Sequence, residues 1–258
     1  VEGLRVPAID LFALHQVAGI PRFSIDHAAV ARMAADYYLE LGYRHFAFCG
    51  QRGVYYSQRR GKALAEYLGA KGHEVALFEG DPPLDAQGVF EIESAGQFDI
   101  DAIGRWLAKL PKPAALVAGT DMRARHVLEA ARLQGIDVPR EVAVLGVGND
   151  EVLCNLASPP LSSIALPSER IGRRAAALLD RMMRGEAPTE IEIATGPLCV
   201  VSRQSTNSLA ISDPIVRVAM LHLREHDARG ANVGELARQA GVSASTLQRR
   251  FRQALGRS

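Results

Sequence analysis

Cysteine is scarce in this 258-residue chain: Cys49, Cys154 and Cys199 stand far apart, with no Cys-x-x-Cys pair and no Cys/His ligand spacing. Neither a disulfide framework nor a zinc site is indicated, and no metal is expected. All three lie in or beside apolar runs, where a free buried thiol is the ordinary state. A strong charge of either sign is also missing. The formal net charge is +1, so no global field draws the chain onto nucleic acid or membrane. No apolar run approaches the length of a membrane span, and the opening VEGLRVPAID lacks a charged-then-apolar leader. There is no G-x-G-x-x-G after a strand, no phosphate-binding loop and no G-x-S-x-G elbow, and the seven histidines form no pattern with a nucleophile. These absences weigh against an enzyme, imply no cofactor, and make the cytoplasm the expected compartment. An initiator Met is lacking too, which reads as processing or truncation.

The charge that is present is uneven. From Asp213 onward eight arginines face four acids, giving +4 there and −3 over the remainder. A basic module on a slightly acidic body suits DNA binding without indiscriminate sticking. Within that tail, NVGELARQAGVSASTLQRRFRQALG (232–256) carries two short amphipathic patterns separated by Gly241. Asn232 can cap the first helix, with Glu235 at capping-box spacing. Val233, Leu236, Ala237 and Ala240 share one face of it. Ser243 is a natural cap for the second, which turns Leu247, Phe251 and Leu255 inward and Ser245, Gln248, Arg249 and Arg252 outward. A glycine turn followed by a basic helix rich in Gln and Arg describes a helix-turn-helix. Arg pairs bidentately with guanine and Gln with adenine.

The first two hundred residues alternate apolar runs with helical periods, the mark of an α/β fold with a mainly parallel, doubly wound sheet. Helices are predicted over 26–41, 57–68, 100–110, 122–134 and from Ser168 to Met183, the last capped by Ser168 with both Met182 and Met183 in the core. Strands are predicted over 45–50, 74–78, 114–118 and 142–147, with a final short pair inside 190–202. The stretch 81–97 lacks clear periodicity and reads as loop, and no helix is expected directly after GVGND (146–150). Arg203 to Asn207 is polar and reads as the linker. Asp213 followed by Pro214 starts a helix whose stripe of Ile215, Ala219, Met220 and Leu223 should pack on the helix pair.

Ligands of open α/β sheets sit beyond the carboxyl ends of the strands. Those ends here are the Gly50–Gly53 loop, the Thr120–Asp121 step and the Gly148–Asp150 loop. Asp121, Asn149 and Asp150 could replace water around a small polar ligand, and Arg123 or Arg59 could add a fork of donors. Each Asx residue could equally be a helix cap or turn.

Two resemblances sharpen this reading. Ser243 to Gly256, S-x-x-x-L-Q-R-x-F-R-x-x-L-G, resembles the first helix-turn-helix of AraC-type regulators, which implies base contacts from Ser245, Gln248 and Arg249. The phrases SIDHAAVARMAADYYLELGYRHFAFCG, LVAGTDMRARHVLEAARLQGIDVPREVAVLGVGND and LASPPLSSI resemble the LacI-type, periplasmic-binding-protein-like sensor domain. Together they resemble the xylose-responsive regulators, with a two-lobed sensor over 1–206 and a DNA-binding domain, first helix-turn-helix only, over 207–258. The resemblance implies operator DNA and a small effector such as a pentose as partners, a homodimer at full length, and no membrane. It also implies that the first lobe is incomplete here, so that the isolated fragment should be unstable or self-associating. Three usual sugar-holding positions differ: Gln58 stands for Arg, Thr120 for Asn and Gly148 for Asp. A sugar-binding protein without DNA function is the alternative.

Overall fold

The structure is a computed structural model describing residues 6–11, 19–81, 89–188, 191–208, 210, 213–225 and 232–255. In chain order the elements are β1 (Arg22–Ile25), α1 (His27–Glu40), β2 (His45–Gln51), α2 (Tyr55–Gly69), β3 (Val75–Gly80), α3 (Val89–Ala95) and α4 (Ile100–Lys109). There follow β4 (Ala114–Ala118), α5 (Asp121–Leu133), β5 (Val142–Gly148), α6 (Glu151–Leu156), β6 (Ser162–Ala165) and α7 (Ser168–Met183). The last elements are β7 (Glu192–Thr195), β8 (Cys199–Val201), α8 (Pro214–Glu225), α9 (Val233–Gln239) and α10 (Ala244–Leu255).

The strands form a six-stranded sheet in the order β3-β2-β4-β5-β6-β8, parallel except for β8 against β6. Helices cover both faces, which is why these strands are written as unbroken apolar runs rather than alternations. On one face α1 and α2 bury Tyr38, Leu64 and Leu68 against Phe48, Val117 and Leu145. On the other, α4 and α5 bury Ile103, Leu107 and Val127 against Leu116 and Val144. The fully buried Tyr38 keeps its hydroxyl satisfied by donating to the carbonyls of Leu116 (2.9 Å) and Ala143 (3.1 Å). A second, two-stranded parallel sheet pairs β1 with β7, and α7 packs on it through Ala175 and Leu178 around Phe23. The architecture is thus the expected α/β one, in two lobes.

Four details depart from the sequence reading. The supposed loop over 81–97 contains α3, and α6 follows GVGND directly; both helices span fewer than two turns, too short to write an apolar period. The two short strands expected over 190–202 do form, and they join different sheets, β7 the small one and β8 the edge of the large one. Ser168 is not the cap of α7 that its sequence position suggested; Pro167 holds the N-cap position. Cys199, on that edge strand, is exposed, whereas Cys49 and Cys154 are buried. Met182 packs on the small lobe but Met183 is 71% exposed, since it falls off the Ile171–Ala175–Leu178–Met182 stripe.

The polar stretch 203–207 is no free linker. Ser205 and Thr206 are fully buried. Ser205 Oγ accepts from the Ser162 amide (2.8 Å) and donates to the Val144 carbonyl (2.6 Å), while Arg203 donates to the Leu161 carbonyl (2.9 Å) and Asn149 Oδ1 (3.0 Å). Polarity here bolts the chain to β5 and β6, because hydroxyls can satisfy backbone groups inside a sheet edge.

Beyond it, α8, α9 and α10 enclose a small core of Ala219, Leu236, Ala237 and Leu247. The predicted caps form: Asp213 Oδ1 accepts from Ile215 (2.9 Å), Asn232 Oδ1 from Gly234 (2.8 Å) and Ser243 Oγ from Thr246 (3.2 Å). Gly241 takes the left-handed conformation of the turn, φ +69°. Val233 is exposed rather than inward, and the side chain of Leu255 lies outside the described residues. Val216 is fully buried in the large-lobe core, and Met220, Phe251 and Ala254 pack on the same cluster. Met220 therefore faces the sheet's helices rather than the helix pair. Burying Val216 alone contributes about 1.5–3 kcal/mol. The Ala210 amide donates to the Leu41 carbonyl (3.0 Å) and Arg44 Nη2 to the Ala254 carbonyl (3.4 Å), tying these helices to the end of α1.

Candidate functional site: a cleft between the lobes

A cleft of about 460 Å³ opens beyond the carboxyl ends of β2, β4 and β5, where an α/β sheet places its ligands. The small lobe contributes an apolar wall, with Phe23 and Ile25 from β1 and Ile171 from α7. The large lobe contributes a polar floor of Tyr56, Arg60, Glu93, Thr120 and Asp121, with His27 at the start of α1. A mostly apolar cavity with a few convergent polar groups is the usual form of a small-molecule site.

Arg60 is the buried cation of the floor, 6% exposed. Its Nη1 donates to the Gly119 carbonyl, and its guanidinium lies 5.4 Å from the Tyr56 ring centroid. Burial pulls its pKa down to about 10. Tyr56 donates to Glu93 Oε1 (3.1 Å), and desolvation, more than any other influence, raises the Glu93 carboxyl above its usual range. His27 is held down to about 4 by burial and then by Arg60, so its ring is neutral at pH 7.

Of the expected effector ligands, Asp121 and Asp150 line the cleft; Arg59, Arg123 and Asn149 do not. Asp121 is engaged with its own protein: Oδ1 accepts from Ser163 Oγ and Oδ2 from the Asp150 amide (2.8 Å). Its carboxylate fills the space over Gly146, where an added Cβ would stand 2.3 Å from Oδ1, so the strand needs glycine for that close approach. Asp150 caps α6 through Leu153 (3.0 Å). Asn149 holds φ 58° in a turn and accepts from Arg203. Arg59 lies exposed over the ring of Tyr55, 5.2 Å from its centroid. Helical register explains the exchange of one arginine for its neighbour. The inward stripe of α2 is Ser57, Arg60, Gly61, Leu64 and Leu68, so extending the Leu64–Leu68 stripe back by four finds Arg60 and leaves Gln58 and Arg59 outside. Glu93 had no such signal, lying on the short α3.

Arg123 points to the opposite side of α5. It pairs with Asp99 (2.8 Å), 5.6 Å from the Phe78 ring centroid. Next to it His126 is 9% exposed, and its Nδ1 has no partner among the described residues. Burial, then the Arg123 charge, lowers its pKa from 6.5 to about 4. A depressed histidine contributes stability that is fully present above pH 6.5 and is lost as pH falls through about 4. Melting temperature followed from pH 7 to pH 4 should therefore fall less steeply in His126→Gln than in the parent protein; equal slopes would exclude His126 as a source of acid sensitivity.

On the helical module, Ser245, Gln248, Arg249 and Arg252 are all exposed, at the i, i+3, i+4, i+7 positions of one face of α10. Leu247 is buried on the other face. Arg250 turns away to pair with Asp213 (3.1 Å). No helix among the described residues is long and apolar enough to cross a membrane, and no group of three or more His, Cys, Asp or Glu among them could hold a metal ion.

A two-lobed α/β body with a cleft at its strand ends defines a class, and the chain belongs to it: residues 35–206 match the periplasmic binding protein-like domain family. More particularly, the chain is 30% identical over 241 residues to the xylose operon regulatory protein of Haemophilus influenzae, covering 92% of this chain and 60% of that protein. It is 29% identical over 234 residues to the protein of the same name in Escherichia coli, covering 90% of this chain and 58% of that one. The chain thus spans roughly three fifths of the length of these relatives. Among solved structures, a xylose-binding transcription activator, xylR, superposes with a TM-score of 0.67 at 26% identity, covering 99% of this chain and 67% of the other.

Proposed function

We propose that this chain is the effector-sensing and DNA-contacting part of a cytoplasmic, sugar-responsive transcription regulator, and that its cleft binds rather than transforms its ligand. The observation that carries the reading is the buried polar floor set between two lobes, at the place where an α/β sheet holds ligands, in a chain whose relatives are named as xylose operon regulators. In this reading residues 1–206 sense the effector and 207–258 form an AraC-type helix-turn-helix, in which Ser245, Gln248, Arg249 and Arg252 face operator DNA. The capped, glycine-turned helix pair and its basic outer face support that assignment. A homodimer would present two such modules to two half-sites, and the relatives' names favour a pentose among sugars.

The linkage between sites follows from α1. Its first residue, His27, lines the cleft, and the carbonyl of its C-cap, Leu41, receives the Ala210 amide beside α8. An effector that favours one arrangement of the lobes then favours one placement of the DNA modules. The test is binding of the full-length regulator to duplexes from its own control region, titrated with salt in the presence and absence of sugars. Sequence-dependent affinity that falls with salt and changes with effector is expected. Binding that no sugar alters, or no sequence preference at any salt, would overturn the reading.

A further inference from the structure

Arg203 stands at the head of the segment that leads from the sensor body towards α8, and it holds three places at once. Its Nη1 donates to Asn149 Oδ1 (3.0 Å) and to the Leu161 carbonyl (2.9 Å), and its Nε donates to Asn155 Oδ1 (3.0 Å). These acceptors belong to the loop after β5, to the residue before β6 and to α6. All three are neutral oxygens, so the guanidinium supplies geometry here rather than charge pairing. Its main chain is locked as well: the Arg203 amide donates to Ser162 Oγ (2.7 Å), and that hydroxyl donates to the Arg203 carbonyl (3.1 Å).

Asn149 is the contact that reaches the cleft. Its neighbours Gly148 and Asp150 both line the cleft, whereas its own side chain is given to Arg203. The loop is held in an uncommon shape: Gly148 has φ +136°, and Asn149, at φ 58°, is the one non-glycine residue with positive φ among the described residues. Towards the cleft the same loop is tied to Asp121. The Asp150 amide donates to Asp121 Oδ2 (2.8 Å), and the Asn149 amide donates to Ser163 Oγ (3.0 Å), the hydroxyl that serves Asp121 Oδ1. Asp150 accepts from Leu153 through Oδ1, and its Oδ2 makes no hydrogen bond among the described residues. A ligand that donates to that oxygen bears on the loop, and through the Asn149 side chain it bears on Arg203.

On the other side of Arg203 the chain runs towards the helical module. Ser205 and Thr206 are buried, and beyond them the Ala210 amide meets the Leu41 carbonyl ahead of α8. We infer that Arg203 is the positioning residue that couples effector occupancy to DNA affinity, setting the head of this segment according to the position of the 148–150 loop. It is not among the residues lining the cleft and does not lie on α10, so it acts on both ligands through other groups. The inference rests on reading the cleft as the effector site and the helix pair as the DNA reader. A plain structural staple would stabilise the protein equally in both states and leave the effector's influence on DNA affinity unchanged.

Fluorescence-anisotropy titration of the full-length protein with a duplex from its own control region, with and without D-xylose, L-arabinose, D-ribose or D-glucose, tests this. The readout is the ratio of DNA affinities with and without sugar, and the sugar giving the largest ratio in the parent protein is used for the variants. Asn149→Gly tolerates the positive φ and removes the acceptor. Its ratio should fall to within twofold of one, from a parent value of about fivefold or more, while it still binds both sugar and duplex. By linkage, sugar affinity should then no longer differ between free and DNA-bound protein. Arg203→Ala should do the same, and Arg203→Lys, which cannot span three acceptors, should restore only part of the response. Asn155→Ala removes a contact of the same arginine away from the cleft loop and should keep the parent ratio. Thermal melts establish that each variant is folded, and if Arg203→Ala is not, Asn149→Gly decides. A parent-like ratio in Asn149→Gly, or an equal loss in Asn155→Ala, would overturn the inference while leaving a sugar-responsive regulator. A parent protein whose DNA affinity none of the four sugars alters would overturn the proposed function as well.

Discussion

Replacing Gln248 and Arg249 together with alanine is expected to lower sequence-specific DNA affinity of the full-length protein roughly a hundredfold or more, since each bidentate base contact is worth about 1–3 kcal/mol. Effector affinity and melting temperature should be unchanged. Both side chains are exposed, and neither makes a hydrogen bond or ion pair among the described residues, so their removal costs the fold nothing of that kind. Arg250→Ala is the natural control. Its guanidinium holds Asp213 at 3.1 Å, partly exposed, so its loss should cost up to about 1 kcal/mol of stability with little effect on base preference. Quantitative footprinting across operator variants reads the difference. A double variant that keeps full operator preference would remove these two residues from base reading and assign it to other residues of the module.

The second large effect concerns Asp121. Asp121→Ala should destabilise the protein by about 2–4 kcal/mol, because it strands two donors at once: the Ser163 hydroxyl, which is fully buried, and the Asp150 amide. In a chain of this size that corresponds to a fall in melting temperature of roughly 4–16 °C. Adding Ser163→Ala should recover part of the loss, since removing both partners of a buried bond is cheaper than orphaning one. Calorimetric melts of the two single variants and the double complete the cycle. Additive losses would mean that Asp121 and Ser163 act independently and that the carboxylate does not organise the β5–β6 end of the cleft.

That role separates what periodicity can reveal from what it cannot. The helix over 26–41 and the strands over 45–50, 114–118 and 142–147 were legible because each apolar period runs long enough to be counted. The helix pair of the tail was legible through its caps, as Asn232, Ser243 and Asp213 act at short range on amides two or three residues away. The cleft was legible only as a place. Asp121 and Asp150 line it, but they are held there by Ser163, forty-two residues on, and by each other. Arg123 and Asn149 are turned to Asp99 and Arg203, partners that no local pattern announces.

By itself, then, the sequence determined the alternation of elements, the polarity of the tail and the positions of the turns, because these depend on neighbours within one or two helical turns. Only the tertiary structure decided which arginine of α2 enters the cleft, that Glu93 joins it from a helix too short to be read, and that Ser205 and Thr206 are buried bolts rather than a linker. It also decided that Val216 and Phe251 join the tail to the body's core. Each of those outcomes depends on which groups desolvate together. That is set by how distant elements pack, where a single buried polar group left unpaired costs as much as several local preferences combined.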